Sequence, residues 1–377
     1  MQKKIISKIV KPTINQIAKY IPGESLIDGK RNVIKLSSNE SPFKIPRKVS
    51  AISKKLVSKF NLYPDGDSNI LKKSLSKNFK INFSQIICGN GSDDILSLVA
   101  QAFSDENSEI ICSQYGFIYY PIVAKISGAK VLTAKTDGLN ISCKNILSLI
   151  TKKTKIIFFA NPNNPTGSFV EKKDIDFLAD GLKKYPHVTI LSDEIYSRQI
   201  FDNKEMPTFF NYPELRDRLI VLEGWSKAYS MTGWRLGWAV WPEKLIEQVI
   251  KFCVNNHSCV NAAIQFGGIA ALDGPDDSIN FMMEKFTKRR KLICEGLNNI
   301  KGIECVLPGG AFYAFPNVSE TGMNGEEFAK RCLHEAGVAI VPGTSFGKKA
   351  KDYVRFSFAA SQDNISEAIE NIKKMLS

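Results

Sequence analysis

Leu219-Ile220-Val221-Leu222-Glu223-Gly224-Trp225-Ser226-Lys227-Ala228-Tyr229-Ser230-Met231-Thr232-Gly233-Trp234-Arg235-Leu236-Gly237 opens as a short aliphatic run and passes into glycines, small residues and aromatics. The run 219–222 predicts a buried strand, and 236–240 predicts another. Lys227 falls just past the end of the first, and Arg235 follows eight positions later. A lysine at the end of a buried strand suits an amine that must bond to a carbonyl. Desolvation and a nearby cation lower its pKa for that task. Arginine's planar fork matches phosphate oxygens. The chain carries 51 lysines and arginines, only ten of them arginine, and a single lysine is ordinarily a solvated surface charge. Lys227 matters only if the rest of a site lies elsewhere in the chain.

Outward from this segment, β-branched or aromatic runs at 84–88, 109–112, 130–133, 155–160 and 188–192 complete seven strands. Amphipathic stretches at 93–103, 120–127, 172–184 and 242–254 read as helices between them. After about residue 280 a long charged helix (279–299) leads to short strands at 311–315, 338–341 and 354–358. A terminal helix near 366–376 closes the chain. The expected fold is α/β: a large domain with a mostly parallel seven-stranded sheet flanked by helices, plus a smaller α+β domain built from both termini. The expected bounds are 41–280 for the large domain, and 1–40 with 281–377 for the small one.

A net charge of +13 raises the question of nucleic acid. The lysines are scattered in pairs, such as Lys54-Lys55 and Lys183-Lys184, and form no block with interleaved aromatics, so no nucleic-acid partner is expected. The eight cysteines show neither CxxC pairs nor zinc-ligand spacing, and no metal is expected. Residues 1–11 are too short and too lysine-broken for a signal segment, and no run nears the ~20 apolar residues of a membrane span. The expected setting is cytoplasmic, with no membrane partner.

Open parallel sheets bind ligands beyond the C-terminal ends of their strands. The run 155–160 ends in Asn161-Pro162-Asn163-Asn164-Pro165-Thr166-Gly167, and 188–192 ends in Asp193-Glu194-Ile195-Tyr196. With Lys227 these make a set: a covalent amine beside a phosphate clamp points to pyridoxal phosphate held as a Schiff base. Asp193 suits the ring nitrogen, while Asn164 and Tyr196 suit the phenolic oxygen. Taken singly, Asn-Pro-Thr-Gly is a good turn and Asp193 a good helix cap. Gly89-Asn90-Gly91-Ser92-Asp93-Asp94 opens a helix whose free N–H groups can cradle a phosphate, and it lacks the third glycine of a dinucleotide fingerprint. Phe117 can stack on the cofactor ring or simply pack in the core. Arg355, alternating with apolar residues in Tyr353-Val354-Arg355-Phe356, requires an anion, either a substrate carboxylate or a structural acid.

Together these motifs resemble the fold-type I pyridoxal-phosphate aminotransferases of class I/II, over nearly the whole chain. The set is specific; its pieces are not. Ala18-Lys19-Tyr20-Ile21-Pro22-Gly23, Ser37-Ser38-Asn39-Glu40-Ser41-Pro42 and Tyr63-Pro64-Asp65-Gly66 resemble histidinol-phosphate aminotransferases. From Ser192-Asp193-Glu194-Ile195-Tyr196 through Gly310-Ala311-Phe312-Tyr313 to Gly337–Gly343 the chain resembles bacterial aspartate-type aminotransferases. Recombination or artificial joining near 160–190, or divergence of one lineage, would each produce this.

The resemblance implies that Lys227 is the Schiff-base lysine and moves the proton between Cα and C4′. It implies Ser92, Asp93, Ser226 and Arg235 around the phosphate, with Tyr63 reaching the phosphate of a second subunit in a homodimer. It places Asn39 and Arg355 at the substrate carboxylate. Tyr20 joins the substrate residues on the strength of the N-terminal motifs. The expected activity is ping-pong transamination between an amino acid, glutamate or aspartate, and a 2-oxo acid. Histidinol phosphate is the alternative substrate, and a pyridoxal-dependent decarboxylase or lyase the further alternative. Two departures stand out. Gly224 replaces a phosphate-bonding Ser or Thr found in many members, and no arginine accompanies 338–341 near Pro342 to grip a substrate phosphate.

Overall fold

Alternation of β-branched runs with helix-forming stretches builds the expected layers. The computed structural model describes residues 12–17, 33–56 and 61–377. Tyr20 and the motif 18–23 lie outside the described residues. The strands are β1 (Ile34–Lys35), β2 (Ile86–Gly89), β3 (Glu109–Ser113), β4 (Lys130–Ala134), β5 (Thr154–Ala160), β6 (Thr189–Asp193), β7 (Leu219–Gly224), β8 (Gly237–Val240), β9 (Tyr313–Ala314), β10 (Val338–Ala339), β11 (Val341–Pro342) and β12 (Val354–Ser357). The helices are α1 (Arg47–Leu56), α2 (Asn69–Phe79), α3 (Ser92–Phe103), α4 (Tyr119–Ser127), α5 (Cys143–Ser148), α6 (Lys172–Leu182), α7 (Ile246–His257), α8 (Ala262–Leu272), α9 (Asp277–Asn298), α10 (Gly325–His334) and α11 (Gln362–Leu376).

The seven-stranded sheet runs β2-β8-β7-β6-β5-β3-β4. Only β8 is antiparallel, to both its neighbours; the other pairs are parallel. The inner strands are mostly apolar on both faces because helices cover both. Leu98 and Val99 of α3, Val123 of α4 and Val249 of α7 pack with Ile110, Phe158 and Leu222 on one side. Leu71 of α2, Leu178 of α6 and Leu272 of α8 pack with Ile157, Ile190 and Val221 on the other. A separate core gathers Phe286 and Ile293 of α9, Phe328 of α10, Ile365 of α11 and Phe356 of β12, with Ile34 and Leu36 from the N-terminal side.

Three expectations change in detail. The run 338–341 is not one strand: β10 pairs in parallel with β1, and β11 pairs antiparallel with β12. The chain bends at Ile340, so each half meets a different neighbour. Pro342, which has no N–H to donate, sits on the edge strand of the three-stranded sheet β11-β12-β9. The helix expected at 242–254 opens as a 3-10 turn, Glu243–Leu245, and continues as α7. Helices α1, α2, α5, α8 and α10 lie where no helix was expected. Among the described residues no helix is long and apolar enough to cross a membrane, and no group of His, Cys, Asp and Glu could hold a metal ion.

Candidate active site

Parallel pairing sets the ends of β5, β6 and β7 side by side: Ala160 pairs with Asp193, and Asp193 with Leu222. The ladder continues one residue further, with Asn161 N donating to Asp193 O (3.1 Å) and Glu194 N to Leu222 O (2.9 Å). The three turns read from the sequence therefore share one edge, and a cavity of about 670 Å³ opens above it. Asn164, Asp193, Tyr196, Ser226 and Lys227 line it from these turns. Ser92 and Asp93 enter from the start of α3, Phe117 from the turn before α4, Arg235 from the loop before β8, and Asn39 from the segment after β1.

Lys227 is buried, and its Nζ donates to both the backbone oxygen and Oδ1 of Asn39, each at 2.7 Å. Burial, aided by the charges of Arg355 and Arg235 against Asp93 and Glu40, brings its pKa down to about 7. Such an amine is neutral in a large fraction of molecules at physiological pH.

Asp193 is buried, and among the described residues no lysine or arginine forms a salt bridge with it. Tyr120 donates to its Oδ2 at 2.7 Å and the Ile195 N–H to its Oδ1 at 3.2 Å. Burial pushes the carboxyl up to about 6 despite these two donors. The Tyr120 ring stacks on Phe158 with centroids 5.1 Å apart, which fixes the hydroxyl's aim. Tyr120 was not singled out from the sequence. Its partner is 73 residues away, so no local spacing marks the pair.

The Tyr196 hydroxyl lies 2.9 Å from that of Tyr313 and donates to Asn39 Oδ1 at 3.2 Å. Tyr313 also donates to Asn39 Oδ1. Burial, then Tyr313, holds the Tyr196 phenol well above its usual range. Asn39 is thus the hub on which Lys227, Tyr196 and Tyr313 converge. The Tyr313 hydroxyl is a second polar group that sequence spacing did not indicate.

The corner at α3 depends on close backbone approach. A Cβ on Gly237 would sit 2.7 Å from both Gly91 C and Ser92 N, and one on Gly91 would run into the Arg235 guanidinium. Gly91 has φ +95, a conformation that glycine adopts freely. Arg235 therefore lies directly over the N-terminus of α3. Its Nη2 is 3.4 Å from Asp93 Oδ2, with both side chains nearly half exposed, so the pair is weak and the guanidinium can turn to an anion. Behind the turn, Asp94 Oδ2 accepts the Asn90 N–H at 2.9 Å. A Cβ on Gly224 would stand 2.9 Å from Ile195 Cδ1 and 3.1 Å from Leu236 O. A Ser or Thr there would press on the adjacent strand.

Arg355 lies behind Asn164. Its Nη1 donates to Asn164 Oδ1 (2.9 Å) and its Nη2 to Ser37 O (3.1 Å), while Nε has no partner among the described residues. It is sandwiched by Tyr313 and Phe346, whose ring centroids are 4.5 and 4.9 Å from the guanidinium. Among the described residues no acid pairs with it, so the structural salt bridge weighed from the sequence is not what holds it. A buried cation with an unused N–H suits a carboxylate. Tyr63 stands apart from this cavity, 96% exposed.

Residues 31–372 match the family model described as aminotransferase class I and II. The chain is 33% identical over 362 residues to an aspartate aminotransferase of Bacillus subtilis, spanning 92% of this chain and 91% of that one. It is 29% identical over 365 residues to aromatic-amino-acid aminotransferase 2 of Thermococcus litoralis, spanning 93% of each. The crystal structure of an aromatic aminotransferase from Pyrococcus horikoshii superposes with a TM-score of 0.88 at 27% identity, covering 97% of this chain and 98% of that chain. These matches run through both halves, so the histidinol-phosphate reading of the first half is not favoured.

Proposed function

Because this chain belongs to the class I and II aminotransferases, we propose that it transfers an amino group between glutamate or aspartate and a 2-oxo acid, using pyridoxal 5′-phosphate in a ping-pong cycle. The observation that carries this reading is the meeting of the Lys227 amine and the Asp193 carboxyl in one cavity, with Arg355 buried behind it.

The residues present fit the cofactor. Asp193 is a buried carboxyl to which, among the described residues, no basic side chain is bonded, which suits a protonated ring nitrogen. The N-terminus of α3, Ser226 and Arg235 make a cradle for a doubly charged phosphate. Phe117 offers a ring at the cavity wall. When bound, the group supplies an aldehyde that condenses with amines and a ring that takes up carbanion charge. Lys227 Nζ would take and return the proton at the substrate's Cα, and Asn39 would orient that amine. Tyr196 would hold its proton, because its phenol is pushed far above neutrality, and donate a hydrogen bond into the cavity. Arg355 and Asn164 would grip the substrate carboxylate, with Asn39 at the same end.

Tyr63 belongs to this reading through a homodimer. It stands beside an opening lined by Leu62, Cys259, Asn261 and Ala262, where a second copy would bring it to the partner's phosphate. A cytoplasmic setting is supported by eight free cysteines. The test is a half-reaction without acceptor. Glutamate or aspartate should convert the bound aldehyde form to the amine form by absorbance, and a 2-oxo acid should reverse it. An unchanged spectrum with both donors would remove the reading.

A further inference from the structure

Glu223 is the one charged residue on β7, in a strand whose other side chains are apolar. By alternation it points to the same side as Leu219 and Val221, half-buried at the margin of the core under α2, α6 and α8. A carboxyl in that position requires partners. Ser197 Oγ donates to its Oε1, and the Gly224 N–H to its Oε2 at 3.3 Å. Among the described residues no lysine or arginine forms an ion pair with it.

The two ends of this contact are not arbitrary. Ser197 follows Tyr196 directly, and its own N–H closes the turn by donating to Glu194 O at 2.7 Å. Glu223 precedes Lys227 by four residues. Gln199 Nε2 adds a second tie by donating to Lys227 O at 3.1 Å. We propose that Glu223 is a positioning residue: through Ser197, its carboxyl group fixes the turn carrying Asp193 and Tyr196 to the turn carrying Lys227. The inference rests on the reading of those three residues given above.

The electrostatics fit a neutral clamp. The groups facing Glu223 are Glu194 and Asp193 from the end of β6 and Tyr229 from the loop after β7. Burial, then Glu194, pushes the Glu223 carboxyl up to about 8. Glu194, held by Ser192 and Thr208 at 2.8 Å each, is raised by burial to about 7. At neutral pH Glu223 therefore holds its proton and adds no charge beside Asp193. Above about 8 it ionises: the Ser197 and Gly224 donors then bond it more strongly, but burial disfavours the charge and Glu194 and Asp193 repel it, so the two turns are pressed apart.

The test compares kcat against pH for the wild-type holoenzyme, E223Q, E223A and S197A, with K227A as reference. Glutamine copies the neutral acid, so E223Q should stay within about twofold of wild type at pH 7 and lose the part of the alkaline decline centred near 8. E223A and S197A should lower kcat about tenfold with KM moved far less, because they misplace the turns rather than remove a substrate contact. An E223A enzyme with wild-type kcat and pH profile would overturn the inference. So would an E223Q enzyme as slow as E223A that keeps the full alkaline limb. Either result beside an inactive K227A leaves the functional reading standing; an active K227A overturns both.

Discussion

Lys227 is set apart from the other lysines by where its Nζ is held. Burial is the first cause of its low pKa, and Arg355 the second. Only the neutral amine attacks an aldehyde, so attachment of pyridoxal phosphate to cofactor-free protein should accelerate as pH rises through about 7. Stopped-flow absorbance checks this; a rate that is flat from pH 6 to 8 contradicts it. Arg355→Ala should act twice. It removes the proposed carboxylate grip, raising KM for amino acids about a hundredfold. It also removes a cation near Lys227, so the attachment midpoint should move to higher pH. Tyr120→Phe deletes the main hydrogen bond that holds the Asp193 carboxyl down. The carboxyl should then rise further and cofactor affinity fall, measured by equilibrium dialysis; an unchanged affinity would assign Tyr120 to packing alone. At this scale the sequence was informative where a functional side chain follows a strand: Asn164, Asp193, Tyr196 and Lys227 are each marked by the run before them. Tyr120 and Tyr313 carry no such mark. Each acts on a residue many positions away, and only the folded sheet supplies that proximity.

At the scale of elements, the seven central strands were readable because strands buried on both faces must be apolar throughout. Helix α8 was not. Its sequence, AAIQFGGIAAL, is apolar or glycine except for a buried Gln265, with Gly267 against Trp234 and Gly268 against Leu236 and Trp225, so no polar face gives it a helical period. The bend at Ile340 was equally hidden, since it depends on which neighbour each half meets. Helix α9 runs unbroken from Asp277 to Asn298, through the position near 280 where texture alone suggested a boundary. The tightest element contact yields a prediction. Gly237→Ala would drive a methyl into the backbone of Gly91 and Ser92, which cannot give way cheaply. It should cost about 1–3 kcal/mol of stability and weaken cofactor binding with it. Gly233→Ala is the control, because among the described residues nothing lies within 4 Å of its Cβ position. Equal melting temperatures for the two variants would contradict the crowding argument.

On the scale of the whole molecule, the net charge of +13 comes from lysines scattered along the sequence in pairs rather than gathered in one block. Both chain ends contribute to one core, with Ile34 of β1 paired to Val338 of β10. The proposed homodimer makes a prediction that a monomer cannot meet. Mixed and reassociated K227A and Tyr63→Ala subunits form heterodimers in which one site keeps both an intact Lys227 and an intact partner Tyr63. Random pairing should restore about a quarter of wild-type sites; no gain over the separate variants would mean that sites are not shared. The account as a whole turns on a single covalent attachment. Borohydride reduction of the holoenzyme, followed by digestion and mass mapping, locates it directly. The account predicts the reduced cofactor on the peptide containing Lys227 and on no other. A label on a different lysine, or none at all, would contradict it.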